Sequence, residues 1–293
     1  MPRIPSEYLN GVFYLYNTRE DALKGRKCGG TGFLVGLPSE ALPQYTAFVY
    51  AVTNWHVAKK QGASVIRMNK KDGTPDILEY GRKDWFFLPK YDIAVLEINQ
   101  INRRVHETTV LERAAFGTRD WITRADIGTG DDVFMVGRFI DHDGGPTNRP
   151  AARFGKISIM PSPIRQENKE VTDSYCLDMN SRTGYSGSPV FVYRVVGGDL
   201  RVTNKTLSGF KPVDNFIMFL GVHWGQFPEE VELKGATPGP QYVKGMSGMT
   251  CVLPAWTLDE VLNMPELREA RRKDDEVTTE RFRREGFPPL PKG

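Results

Sequence analysis

The chain has 293 residues, 40% of them hydrophobic and 26% charged, an ordinary globular make-up with ample core material. Its 39 basic and 36 acidic residues leave a net charge of +3, too balanced to argue for nucleic acid. No apolar run of about 18 residues marks a membrane span.

The first residues, Met1-Pro2-Arg3-Ile4-Pro5-Ser6-Glu7, lack the apolar centre of a signal peptide. The three cysteines, Cys28, Cys176 and Cys251, are few and odd in number. Together these features predict a reduced, cytoplasmic protein without a disulfide framework.

In chain order, residues 11–17 read as a first, aromatic-rich strand. A charged loop leads to Cys28-Gly29-Gly30-Thr31-Gly32-Phe33-Leu34-Val35-Gly36, a Gly-rich approach to an apolar strand. Residues 45–53 form another strand, which runs into Asn54-Trp55-His56-Val57-Ala58. Short strands are expected at 64–68 and 91–98, the second with Asp92 at its mouth. Residues 99–125 are irregular, and a lobe boundary is placed there. The pattern then restarts with strands at 132–137, 153–160, 171–179, 190–196, 216–225 and 248–254. Many short strands separated by turns predict an all-β barrel or sandwich. Three segments result: an N-terminal lobe at 1–120, a C-terminal lobe at 121–256, and a helix with a charged tail at 257–293. Thr257 and Glu260 have capping-box spacing, and the helix should stop near Met264, before Pro265. Residues 266–285 are either a solvated helix, with Glu269/Lys273 and Glu280/Arg284 at i,i+4 spacing, or a disordered tail. Phe287-Pro288-Pro289-Leu290-Pro291 is either a partner motif or a frayed terminus.

The sequence organises around Gly184-Tyr185-Ser186-Gly187-Ser188-Pro189. A sharp glycine-flanked turn pushes the Ser186 hydroxyl outward and aims the Gly184 and Ser186 N–H groups at one point. That is a nucleophile beside an oxyanion hole, or simply a turn. Acyl transfer by serine also needs a base and a group that holds the base in one tautomer. His56 follows a strand, and Asp92 opens an apolar one, where a lone carboxylate is costly to bury. The spacings are 36 residues (92 − 56) and 94 residues (186 − 92). Each residue alone has a plain structural reading; the three in one all-β frame are hard to explain by accident.

These segments, with Gly221-Val222-His223-Trp224-Gly225, make the chain resemble the chymotrypsin-like (PA-clan) serine proteases, trypsin-like peptidases, over residues 11–262. The resemblance implies two six-stranded antiparallel β-barrels with the site in the crevice between them. It implies Ser186 as nucleophile, His56 as base and then acid, Asp92 as orienting carboxylate, and the Gly184 and Ser186 N–H groups as oxyanion hole. The strand from Leu220 to Gly225 would pair with an extended substrate backbone. Substrate contacts are assigned to Asn180, Ser181, Thr183, His223, Trp224 and Gly225. The expected activity is a serine endopeptidase acting on protein or peptide substrates, with no cofactor or metal, no nucleic acid or membrane partner, and a regulatory protein as a possible partner. The alternative is an inactive peptide-binding or scaffold module on the same fold.

Some positions depart from the pattern. Val57 stands where secreted relatives carry the cysteine that would bridge to Cys28. Tyr185 stands where they carry the aspartate that captures a new N-terminus, so that route of activation is not expected. Asn180 stands at the position of the aspartate that selects basic side chains, which disfavours cleavage after Lys or Arg. The serine and histidine strings are most similar to bacterial glutamyl endopeptidases, where His223 with Ser181 would contact an acidic P1 side chain; otherwise His223 fills the strand end or supports Asp92. Arg182 adds positive charge of unspecified direction. Asp141-His142-Asp143 reads as hairpin-loop chemistry rather than a metal site, Cys28 as a small buried residue, and His106 as surface.

Overall fold

A computed structural model describes residues 3–43, 47–138, 147–166, 168–179, 184–195, 215–233 and 241–285. The first half forms one sheet from β1 (Val12–Tyr16), β2 (Gly30–Pro38), β3 (Ala47–Thr53), β4 (Val65–Asn69), β5 (Pro75–Leu78), β6 (Phe86–Phe87), β7 (Ala94–Glu97) and β8 (Val110–Glu112). Its order is β5-β4-β1-β2-β3-β7-β6, and β8 lies parallel to β2. The second half is a closed barrel of β9 (Asp132–Arg138), β10 (Pro150–Arg165), β11 (Val171–Asp178), β12 (Pro189–Val195), β13 (Asn215–Leu233) and β14 (Gln241–Pro254), in the order β10-β11-β14-β13-β12-β9.

The two-lobed all-β class is therefore as the sequence indicates. Among the described residues the first lobe has eight strands rather than six, and its ladder does not close between β5 and β6. The extra strand β8 falls in the stretch expected to be irregular. It is three residues long, too short for an alternating pattern to stand out, and it is held by the Val35–Leu111 register on β2.

Strands β2, β3 and β7 are apolar because they are covered on both sides. Phe33, Val35 and Val52 from the first lobe share one cluster with Phe134, Phe191 and Phe219 from the barrel. Phe33 meets Phe219 at 5.3 Å between ring centroids. The core thus runs through the lobe interface. Tyr8, in the short helix α1 (Ser6–Leu9), crosses over to pack edge-on against Phe134 and Phe191. Helix α2 (Arg19–Lys24) is capped by Thr18, which accepts from the Asp21 N–H. Helix α3 (Arg119–Arg124) is capped by Thr118 in the same way.

The C-terminal helices correct one expectation and decide between the two alternatives of another. Helix α4 (Ala255–Leu262) starts directly after β14, with Pro254 at its N-cap. Thr257 is thus inside the first turn, and its hydroxyl donates to the Pro254 carbonyl (2.7 Å) instead of capping. Burial of Ala255, Leu258, Val261 and Leu262 fixes that start. Residues 265–284 form a true helix, α5 (Pro265–Arg284), anchored by buried Leu267 and Asp275. His106 is buried rather than at the surface. The Asn102 N–H donates to its Nδ1 (3.0 Å) and its Nε2 reaches Asp76 (2.9 Å), so both polar atoms are satisfied inside. Cys28 is partly buried, with its thiol on the Gly30 carbonyl. The expected features at 141–143 and 287–291 lie outside the described residues. No described helix is long and apolar enough to cross a membrane.

Candidate active site

Strand β3 ends at Thr53, and the chain turns through Asn54 and Trp55 into a short, wide-turned helix starting at His56. Asp92 lies in the turn before β7, which pairs with β3 (Thr53 against Ala94). That pairing brings imidazole and carboxylate together. The His56 Nδ1–H donates to Asp92 Oδ2 at 2.6 Å, and the His56 backbone N–H donates to Oδ1 at 2.9 Å. Asp92 is fully buried and His56 nearly so. A buried carboxylate needs such donors, and in turn it fixes the ring so that Nε2 carries the lone pair. Asn54 Nδ2 holds the Asp92 carbonyl at 2.8 Å.

From the other lobe, Gln166 completes the clasp. Its Oε1 accepts from the Asp92 N–H (2.8 Å), and its Nε2 donates to the Lys90 carbonyl and Thr172 Oγ1. Gln166 follows the end of β10 and is buried. Sequence reading missed it.

The Ser186 turn is gripped by both lobes. The Thr31 N–H donates to the Ser186 carbonyl (2.9 Å), and Thr31 Oγ1 donates to the Gly184 carbonyl (2.7 Å). On the barrel side, the Gly187 N–H donates to the His223 carbonyl, and the His223 N–H donates to the Ser188 carbonyl. Gly187 has φ +85°, and a Cβ there would lie 2.2 Å from the Thr31 carbonyl oxygen, so the grip requires glycine. Gly184, at φ +93°, turns the chain just before the serine. Neither the Gly184 nor the Ser186 N–H meets an acceptor among the described residues. The Gly30 α-carbon sits between Val57, next to His56, and the Ser186 carbonyl; an added Cβ would meet them at 2.9 and 3.0 Å. The His56 and Ser186 segments thus share one wall.

Tyr185 is fully buried beneath this turn, under the Arg153 guanidinium at 5.3 Å from its ring. Its carbonyl accepts from the Ser188 N–H.

His223 is buried, and its Nδ1 donates to the Cys251 carbonyl (3.1 Å). Burial, and then the nearby His56, lower its pKa to about 4. It is neutral at physiological pH, with Nε2 left as an acceptor. In that form it offers no proton to an acidic side chain. Trp224 donates through Nε1 to Ser174 (3.2 Å), and half-buried Gly225 follows on β13, opposite Cys251 of β14. Beyond Gly225, β13 and β14 continue as a ribbon to Leu233, an extension the sequence pattern did not reveal. Asn180, Ser181, Arg182 and Thr183 lie outside the described residues. No group of three or more metal-binding side chains occurs among the described residues.

Three solved structures are similar in outline. The MamO protease domain from Magnetospirillum magneticum has 14% identity, TM-score 0.49, and covers 88% of this chain and 98% of its own. The active form of the Rv3671c protease from M. tuberculosis has 17% identity, TM-score 0.46, and coverages of 89% and 91%. The human heparin binding protein has 12% identity, TM-score 0.48, and coverages of 90% and 96%. No curated protein matches the chain significantly. A family profile described as the trypsin-like peptidase domain matches residues 30–197, more than half of the sequence and a span that includes His56, Asp92 and Ser186. The chain belongs to the trypsin-like peptidase domain family.

Proposed function

We propose that the protein is a serine endopeptidase that cleaves protein or peptide substrates through Ser186, His56 and Asp92. The observation that carries this reading is the two-point clasp of Asp92 on His56, at 2.6 and 2.9 Å in a buried setting. Such a clasp holds the imidazole in the one tautomer and orientation that a general base needs.

His56 Nε2 takes the Ser186 proton as Oγ attacks the scissile carbonyl. The Gly184 and Ser186 N–H groups receive the resulting oxyanion. The imidazolium, stabilised by Asp92, protonates the leaving amine, and water then releases the acyl group by the reverse sequence. The substrate backbone pairs with β13 at Trp224 and Gly225 rather than along the whole stretch from Leu220 to Gly225, because β12 and β14 already occupy both edges of β13 up to Val222. The N-terminal lobe supplies base and carboxylate, and the C-terminal lobe supplies the nucleophile. Because Tyr185 is packed in place beneath the serine turn, the site needs no N-terminal capture to form, and any control comes from a partner.

The test is fluorophosphonate labelling of the purified protein beside Ser186→Ala and His56→Ala. Labelling at Ser186 that both substitutions abolish supports the reading. A folded protein that stays unlabelled, alone and with candidate partners, sinks it in favour of a peptide-binding module.

A further inference from the structure

Two of the three cysteines face each other across the second barrel. Cys176 on β11 and Cys251 on β14 are direct partners in an antiparallel ladder of four pairs, from Tyr175↔Val252 to Asp178↔Met249. Directly opposed residues on antiparallel strands have α-carbons about 4.5 or 5.5 Å apart, according to the type of pair. Both values fall within the roughly 4.4–6.8 Å that a disulfide spans. Both are free thiols in the same core cluster, and each is about as buried as a core valine. Cys28 belongs to the other lobe, ahead of β2.

We propose that Cys176 and Cys251 form a disulfide-competent pair that staples the β11–β14 seam of the barrel. This seam backs the candidate cleft. The Cys251 carbonyl holds His223, and Cys251 is also the register partner of Gly225. A covalent link here pins the strand next to the one expected to carry substrate.

Once folded, the thiols are shielded. Burial raises both pKa values, that of Cys251 to about 12, so thiolate is scarce. The bond therefore forms while the chain folds. With glutathione disulfide as oxidant, one cysteine thiolate attacks it and releases one glutathione thiolate, leaving a mixed disulfide. The second cysteine thiolate attacks that mixed disulfide at the protein sulfur and releases the second glutathione. Two electrons and two protons pass from the protein to glutathione.

The experiment refolds the full chain in a glutathione redox buffer and, in parallel, under reductant. Each product is alkylated after unfolding, digested and mapped by mass. The expected result is one species joining the Cys176 and Cys251 peptides, two hydrogens lighter than their sum, with Cys28 alkylated. The oxidised protein should also have a higher urea midpoint than the reduced one. Cys176→Ala and Cys251→Ala, each checked for native circular dichroism, should lose that redox-dependent difference. Alkylation of both thiols after oxidative refolding, or separate glutathione adducts on each, overturns the proposal. So does a crosslink that leaves the midpoint unmoved. None of these readouts depends on protease activity.

Discussion

Asp92 accepts two hydrogen bonds from one residue, through the backbone and the ring of His56. Asp92→Asn keeps the shape but offers the ring an amide, which favours the wrong tautomer. The fluorophosphonate labelling rate should fall by about 10³–10⁴-fold while the protein stays folded. His223 carries a different prediction. Its folded pKa of about 4 lies below the ordinary value of 6.5. The unfolded chain therefore binds the extra proton between these values, and stability drops as pH falls. The contribution is intact above pH 6.5 and gone below about 4, a difference of about 3 kcal/mol. His223→Gln should narrow the gap in urea-unfolding free energy between pH 7 and pH 4. An unchanged gap would show that His223 does not titrate as its burial demands.

Helix α5 is decorated with exposed ion pairs, such as Lys273–Glu269 and Arg284–Glu280, each worth a few tenths of a kcal/mol. Its attachment rests elsewhere. Asp275 accepts from Ser39 Oγ (2.5 Å) and the Glu40 N–H (3.2 Å), and Ser39 Oγ accepts in turn from the Leu42 N–H. Arg271 donates to Tyr50 Oη and to the Leu262 carbonyl. Asp275→Ala should cost about 1–3 kcal/mol in chemical denaturation, without changing the labelling rate, because it strands the buried Ser39 hydroxyl outside the candidate site. This helix also shows what a sequence conceals. Its two anchors, Leu267 and Asp275, stand singly in a polar run and make no apolar stripe, so a solvated helix and a tail read alike. Strands β2, β3 and β7 were legible because burial on both faces writes continuous apolar runs. The His56–Asp92 pairing and the glycine-flanked turn at Ser186 were legible because each residue sits in a distinctive local string. Gln166 carries no local signal, since its partner Asp92 is 74 residues away.

Across the whole molecule, the two lobes meet through a shared aromatic core and through Gln166. Gln166→Ala would leave the Asp92 N–H buried without its acceptor. It should lower stability by about 1–3 kcal/mol and slow labelling, and an activity unchanged from wild type would mean that the latch does not position Asp92. The grip of Thr31 on the serine turn joins residues 153 apart, whereas His56 and Asp92 are 36 apart. Closing so long a loop is slow compared with local pairing. In refolding from denaturant, the far-ultraviolet circular dichroism should therefore recover before labelling competence does. On a ribosome the same distance sets a timetable. His56 and Asp92 emerge early, while Ser186 is synthesised late and its turn is assembled only when the barrel behind it has closed. Under the proposed function, a nascent or truncated chain is thereby kept from cutting its neighbours.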